Sequence, residues 1–194
     1  MRWAVLVGGT GSNLAALLDR GIDIGLVVSH RAEVGALVIA RAHRVPAAVL
    51  LPSRYASREA YGADLRQTLE NAAIDAVAMA GFLRWLDTDT VRSYRGRIFN
   101  IHPSLLPAFP GLHAIGQALV YGVRWTGVTV HLVDEGRDSG PVVAQEPVPV
   151  EPEDDEESLA ARIHAVEHRL YGDVLQAFEQ QRFFVCGRKV VWRQ

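Results

Sequence analysis

Five short apolar runs, separated by longer stretches of helical periodicity, constrain this chain more than any other feature. The runs are Trp3–Val7, Gly25–Ser29, Ala47–Leu50, Ala76–Met79 and Ile98–Ile101, and the spacing predicts helices over Asn13–Asp19, Val34–His43, Arg58–Asn71 and Asp87–Tyr94 between them. Short, evenly apolar runs are what strands buried on both faces look like, and alternation with helices points to βαβ units around a mainly parallel sheet. The pattern then changes. Val128–Val133 and Pro141–Val150 read as strands with no long helix between them, which predicts a local antiparallel or irregular pairing. A last helix is expected from Glu156 to about Glu179, followed by a strand-like Phe183–Trp192. The acidic run Glu151–Glu157 suits a helix start, with Asp154 and Glu157 spaced for a capping box. No repeat or linker divides the 194 residues, so residues 1–194 are expected to form a single α/β domain with helices on both faces of the sheet.

The bulk numbers remove several classes of function. A formal net charge of −2 gives no electrostatic reason to expect nucleic acid or an anionic membrane as partner. No apolar run approaches the roughly 20 residues needed to cross a bilayer, and the first residues lack the length and cleavage site of a secretory signal. The single Cys186 has no cysteine to pair with and no metal-ligand spacing around it. A cytoplasmic protein without a metal, acting on small molecules as a monomer or homodimer, is the expectation.

Three segments carry candidate chemistry. Strand one runs into Gly8-Gly9-Thr10-Gly11-Ser12-Asn13, where glycines let the backbone turn sharply ahead of a helix whose first N–H groups attract an anion. Lys and Ser/Thr are missing where a nucleotide P-loop needs them, and Leu14 stands where a dinucleotide fingerprint has its third small residue. A single phosphomonoester is the better fit, with Ser12 and Asn13 able to add side-chain donors. After the fourth strand, Ala80-Gly81-Phe82-Leu83-Arg84-Trp85-Leu86 forms a βα loop at the carboxyl end of the sheet. Its apolar side chains and exposed backbone groups could grip a flat heteroaromatic ring.

The third segment is Asn100-Ile101-His102-Pro103-Ser104-Leu105-Leu106-Pro107. Alternate residues of a strand face one side, so Asn100 and His102 should look into the same space, and Pro103 ends the strand. An amide donor beside a group that exchanges protons near neutral pH suits acyl transfer, where an oxyanion is held while a proton moves. The glycine-rich acidic loop from Asp134 to Asp138 lacks the ligand spacing and closing Glu of an EF-hand.

NIHPSLLPAFPGLHA, together with GTGSNL, AGFLRWL, GVTVHLVDEGRDSGPVVAQEPVPV and ARIHAVEH in that order, resembles the folate-dependent formyltransferases over nearly the whole chain. The resemblance is strongest to the branch that formylates glycinamide ribonucleotide in purine synthesis. It implies a Rossmann-like formyltransferase fold, an N-terminal part that binds phosphate and a C-terminal part that binds folate and is catalytic. It also implies 10-formyltetrahydrofolate as co-substrate and direct transfer of the formyl group. On this resemblance Asn100, His102 and Asp138 are the catalytic set, Gly11, Ser12 and Asn13 hold the substrate phosphate, and Glu167 meets the amine or sugar end with His164 nearby. Arg58, Leu83, Arg84, Trp85, Leu86, Asn100, Asp134 and Asp138 would line the folate site. Trp85 replaces a smaller aliphatic residue and either stacks on folate or packs outward, and Ala108-Phe109 departs from a basic-aromatic pair. Thr129 stands where the family has a small hydroxyl that supports a catalytic water, and His131 is read as a strand residue near the site with a structural role. The rivals are a formyltetrahydrofolate hydrolase, which would read HHSFLP rather than HPSLLP and carry an N-terminal regulatory domain, and a non-catalytic phosphate-ligand sensor. Methionyl-tRNA formyltransferase is disfavoured by the lack of a basic C-terminal domain.

Overall fold

The structure is a computed structural model that describes residues 1–193. The chain divides into two compact units, Met1–Phe99 and the part from Asn100 onward. In the first, β1 (Trp3–Val7), β2 (Ile24–Ser29), β3 (Ala47–Val49) and β4 (Ala76–Ala80) lie in the order β3-β2-β1-β4. All three pairings are parallel. Between them run α1 (Ser12–Asp19), α2 (Gly35–Ala42) and α3 (Arg58–Asn71), with α4 (Thr88–Ser93) after β4. The crossovers step outward from β1 to β3 and then return to β4 on the other side of β1. A right-handed crossover that reverses direction moves its helix to the opposite face, so α1 and α2 share one face and α3 and α4 the other. The crevice where the order reverses, outside the carboxyl ends of β1 and β4, is where such sheets take ligands.

Every residue of β1, β2 and β4 is buried, as their unbroken apolar reading requires. Trp3 is fully buried and meets Phe99 edge-on, ring centroids 5.7 Å apart. The α3–α4 face is tied by a charged pair: Arg66 Nη1 donates to Asp87 Oδ2 at 2.7 Å and to Thr90 Oγ1 at 3.0 Å.

Strand β5 (Ile98–His102) begins in the first unit, where Val77 N donates to Arg97 O at its entry, and ends in the second. The second unit then holds α5 (Ala114–Tyr121), β6 (Trp125–Leu132), β7 (Val142–Pro149), α6 (Glu156–Glu179), β8 (Phe183–Cys186) and β9 (Lys189–Trp192). Here the order is β5-β6-β7, with β6 and β7 antiparallel, so the short connection read from the sequence is a hairpin rather than a crossover. Their register slips between Val130 and His131. Such a bulge re-aims the next side chain and is common beside active sites. The long helix α6 packs across β6 and β7.

Three expectations change. Helix α5 was not foreseen in the sequence; its alanines and leucine favour a helix, and Gly122 at φ 80° closes it. The capping box of α6 is Asp155 with Ser158, one residue beyond the predicted pair, because Asp154 is taken up by Arg162. Phe183–Trp192 is two strands: Gly187, at φ 60°, breaks the run into a β8–β9 hairpin.

Candidate active site

The loop from Gly8 to Asn13 is built from backbone. Gly11 caps α1 at φ 87°, and a Cβ there would lie 2.6 Å from the Ala36 Cα, so both the turn and the approach of α2 demand glycine. Ala36 N donates to Gly9 O at 3.2 Å, which ties the loop to the start of α2. The first bond inside α1 runs from Ala15 N to Gly11 O, so the amides of Ser12, Asn13 and Leu14 precede the helical ladder and face the loop. Their positive partial charge favours an anion. Beneath the loop lies His30, 6% exposed, with Nδ1 donating to Val7 O at 3.1 Å and its ring edge-on to Phe82. A Cβ on Gly8 would strike that ring at 1.9 Å, so the loop's first glycine is set by a histidine that sequence reasoning passed over. Burial, ahead of the Val7 carbonyl's opposing pull, lowers the pKa of His30.

The same unit holds a cavity of about 500 Å³ lined by Tyr55, Ser57, Arg58, Tyr61, Leu83, Arg84 and Trp85, with Pro52 at its edge. This brings together Arg58, Leu83, Arg84 and Trp85 from segments far apart in sequence. Ser57 caps α3 by accepting from Ala60 N at 3.1 Å, which sets Arg58 at the first helical position. Leu83 and Trp85 are 54% and 50% exposed, which leaves apolar surface open to a ligand, while Leu86 turns partly inward. Tyr55 donates to Asp64, and that bond, ahead of burial, pushes its pKa up to about 12. Tyr61 is 5% exposed, its hydroxyl has no hydrogen-bond partner among the described residues, and burial raises its pKa to about 12. A buried hydroxyl without a partner is costly.

The second unit gathers the remaining polar set. Asn100 Nδ2 donates to His131 Nε2 at 3.1 Å, and His131 Nδ1 donates to Leu132 O at 2.9 Å. These two partners fix the tautomer of His131. Burial, opposed by the Leu132 carbonyl and Asp138, lowers its pKa, so it stays neutral and accepts from Asn100. His102, 5% exposed, donates from Nε2 to Phe109 O at 2.8 Å. Its other nitrogen, Nδ1, lies 3.8 Å from Asp138 Oδ2, and Asp138 Oδ1 is 3.8 Å from His131 Nε2. Gly111 N donates to Asp138 Oδ2 at 2.7 Å, and Asp138 sits at φ 45°. A non-glycine residue in that region is strained and persists where its surroundings hold it.

Thr129 is engaged by three protein groups. Its Oγ1 donates to Ser104 O at 2.7 Å and accepts from Leu106 N at 3.0 Å and Gln145 Nε2 at 2.9 Å. Gln145 Nε2 also reaches Leu106 O at 2.8 Å, and Ser104 Oγ donates to Ala108 O at 2.5 Å. The braid uses the hydroxyl for backbone, and it pins the loop that delivers the Phe109 carbonyl to His102. In the acidic loop, Asp134 Oδ1 accepts from Gly136 N at 3.0 Å and Ser139 Oγ at 2.7 Å, so Asp134 shapes the turn that presents Asp138. Glu167 is buried on α6, with His164 and His168 on the same helix face; burial is the leading cause of the lowered pKa of both histidines.

Asn100, His102, Asp134 and Asp138 therefore fall in one cluster with His131, the strand histidine expected near the site, which bonds Asn100 directly. The usable signal was a histidine on an otherwise apolar strand. Gln145, Phe109 and Gly111 had none, since two of them act through backbone atoms.

The formyl transferase family profile matches residues 1–175. The chain is 48% identical over 175 residues to the trifunctional purine biosynthetic protein adenosine-3 of Drosophila melanogaster, covering 86% of this chain and 13% of that protein's length. It is 40% identical over 189 residues to the phosphoribosylglycinamide formyltransferase of Escherichia coli K12, covering 94% of this chain and 89% of that one. The crystal structure of glycinamide ribonucleotide transformylase 1 from Symbiobacterium toebii matches with a TM-score of 0.97 and 41% identity, over 100% of this chain and 94% of that one. A formyltetrahydrofolate deformylase from Pseudomonas syringae matches at 0.91 with 27% identity, and only 66% of its length is covered. With the profile spanning most of its length and the fold matched throughout, the chain belongs to the formyl transferase family.

Proposed function

We propose that this chain transfers the formyl group of 10-formyltetrahydrofolate to the primary amine of 5'-phosphoribosylglycinamide. The products are the N-formyl glycinamide ribonucleotide and tetrahydrofolate, a step of purine synthesis. The observation that carries the reading is the Asn100–His102–Asp138 cluster, in which a carboxylate held by a backbone amide lies 3.8 Å from an imidazole anchored at its other nitrogen.

In this reading Gly11, Ser12 and Asn13 take the phosphate of the ribonucleotide, and Glu167 takes its amine or sugar end. The cavity of Arg58, Leu83, Arg84 and Trp85 takes part of the folate, its guanidinium groups matching carboxylates and Trp85 offering a ring face. Attack of the amine on the formyl carbon places negative charge on the formyl oxygen. Asn100 keeps one N–H on His131 and has a second for that oxygen; His102, anchored through Nε2, offers Nδ1–H when protonated. Asp138, working through a water, receives the proton released by the amine and returns it to N10 as the C–N10 bond breaks. The step needs no covalent bond to the protein. Asp134 and Leu86 border the folate site in the same reading.

The test is an absorbance assay with purified protein and 10-formyltetrahydrofolate, with and without the ribonucleotide. Turnover that requires the amine is expected. Equal turnover without it makes the chain a hydrolase; silence in both, from folded protein, points to a binding protein.

A further inference from the structure

The β8–β9 hairpin lies after residue 175, beyond the segment that the family profile covers, and nothing in the reaction above uses it. Two of its side chains donate to backbone carbonyls of the preceding chain. Arg188 Nη2 donates to Ser139 O at 2.7 Å, and Trp192 Nε1 donates to Val143 O at 3.2 Å. Both bonds join residues 49 apart in sequence. β9 therefore runs alongside residues 139–143 in the same direction and grips it at two points four residues apart. The segment it grips is the junction where the acidic loop becomes β7.

The hairpin is itself anchored. Phe183 is buried and stacks with Trp192 at 4.9 Å and with Phe178 of α6 at 5.9 Å. Phe183 pairs with Trp192 and Cys186 with Lys189, so the two-residue turn Gly187-Arg188 sets Arg188 at the tip. On its other side the junction meets β6: Leu132 N donates to Pro141 O at 2.9 Å, and a Cβ on Gly140 would lie 1.8 Å from Leu132 O. The junction is thus held between β6 and the hairpin. Asp138 is the residue immediately before Ser139 and sits at φ 45°, a conformation that other contacts must impose. The Gly111 amide holds the Asp138 carboxylate, and Asp134 Oδ1 accepts from the neighbouring Ser139 Oγ.

We infer that the C-terminal hairpin is a splint for the catalytic loop, with Arg188 a positioning residue that holds the Ser139 carbonyl so that the Asp138 carboxylate stays beside His102. This rests on the function proposed above. An exposed arginine bonded to a carbonyl adds little to global stability, so its effect should be local, on the order and aim of one loop.

The experiment compares the unaltered chain with Arg188→Ala, Arg188→Lys and Trp192→Phe. Amide hydrogen exchange over residues 134–140 is measured together with kcat and with KM for each substrate. Misplacement of a reacting group by about 1 Å can cost about 100-fold, so a partial loss of aim in Arg188→Ala should lower kcat by about 10-fold or more. Exchange over 134–140 should speed up, and KM for the ribonucleotide should stay within about twofold. Arg188→Lys, which keeps a donor, should recover most of kcat. Trp192→Phe removes a donor and keeps a ring, so it should move exchange in the same direction by less. In an Asp138→Asn background, Arg188→Ala should cost nothing further, because the group it positions is already gone.

Unchanged exchange in Arg188→Ala overturns the splint whatever the activity. Faster exchange with undiminished kcat overturns it too, as does a full additional loss in the Asp138→Asn background. If the unaltered chain shows no amine-dependent turnover, the proposed function fails; the exchange comparison then still decides whether the hairpin orders the loop. Should Arg188→Ala not fold, Trp192→Phe carries the same test.

Discussion

The Gly8–Asn13 loop and the Asn100–His102–Asp138 cluster are built by opposite means. At Gly8–Asn13 the groups offered to a ligand are amides, and the side chains beneath them, His30 and Ala36, matter by the space they fill. At Asn100, His102 and Asp138 the groups presented are side chains; Phe109 O and Gly111 N aim His102 and Asp138, and Leu132 O aims the His131 ring that Asn100 meets. A site made of backbone should be intolerant of added atoms and tolerant of changed side-chain chemistry. One made of side chains should behave the other way round.

The largest effects should come from the second kind. Asp138→Asn and His102→Ala are expected to lower kcat by about 100- to 1,000-fold, the usual cost of losing one preorganised polar group, with the melting temperature little changed. Ser12→Ala should change kcat by about threefold at most, since the amide it carries remains. Steady-state kinetics of the three variants decides; comparable losses in all of them would end the contrast.

Thr129→Val tests the aiming. One oxygen serves Ser104 O, Leu106 N and Gln145 Nε2, all buried or partly buried. Removing it leaves those groups unpaired, at about 1–3 kcal/mol for a lost buried partner, and should loosen the Phe109 carbonyl that orients His102. Urea denaturation should show the loss and kinetics a lower kcat. Stability lost with kcat intact would mean the braid holds the fold alone. Gly11→Ala comes next, costing about 1–2 kcal/mol from its positive φ and the contact with Ala36, and raising KM for the ribonucleotide more than it lowers kcat.

How far these sites could be read beforehand follows from the same contrast. The parallel pairing of β1 to β4 was legible because strands buried on both faces must be apolar throughout, whereas their order β3-β2-β1-β4 comes from the structure alone. Gly11 and the Asn100–His102 pair were legible because glycine turns and strand alternation act over a few residues. The His131–Asn100 bond was not, as it joins residues 31 apart through a bulge whose position no local pattern marks. Helix α5 was missed for a different reason: its apolar residues include Val120, 91% exposed, so burial and periodicity do not coincide there. The capping box slipped by one residue because Arg162, two turns along α6, competes for Asp154.

The histidines offer a gentler comparison, since one lies beneath each site. Burial, the leading cause, lowers the pKa of both His30 and His131 from the ordinary 6.5. As pH falls through 6.5 the unfolded chain takes up protons that the folded chain refuses, so the unfolded state binds more protons and stability drops. Unfolding free energies from urea at pH 7.5, 6.5 and 5.5 should therefore decline in that order. A flat profile would mean that the rings charge within the fold, and the His131 nitrogen that accepts from Asn100 would then be lost.

Tyr61→Phe should have the smallest effect and distinguishes the remaining region, the cavity of Arg58, Arg84 and Trp85, from both sites above. The Tyr61 hydroxyl is buried with no partner among the described residues, so in the free protein it contributes desolvation cost and no bond. Deleting it should leave stability unchanged or raise it by up to about 1 kcal/mol, opposite in sign to Thr129→Val and Gly11→Ala. If the hydroxyl meets a ligand instead, the same change should raise KM for the folate by several-fold while KM for the ribonucleotide stays put. Both shifts together would show a polar group held unsatisfied until the folate arrives, a third way of building a site from buried parts. A stability gain with KM unmoved would make the hydroxyl incidental and leave recognition in that cavity to the two guanidinium groups and the Trp85 ring.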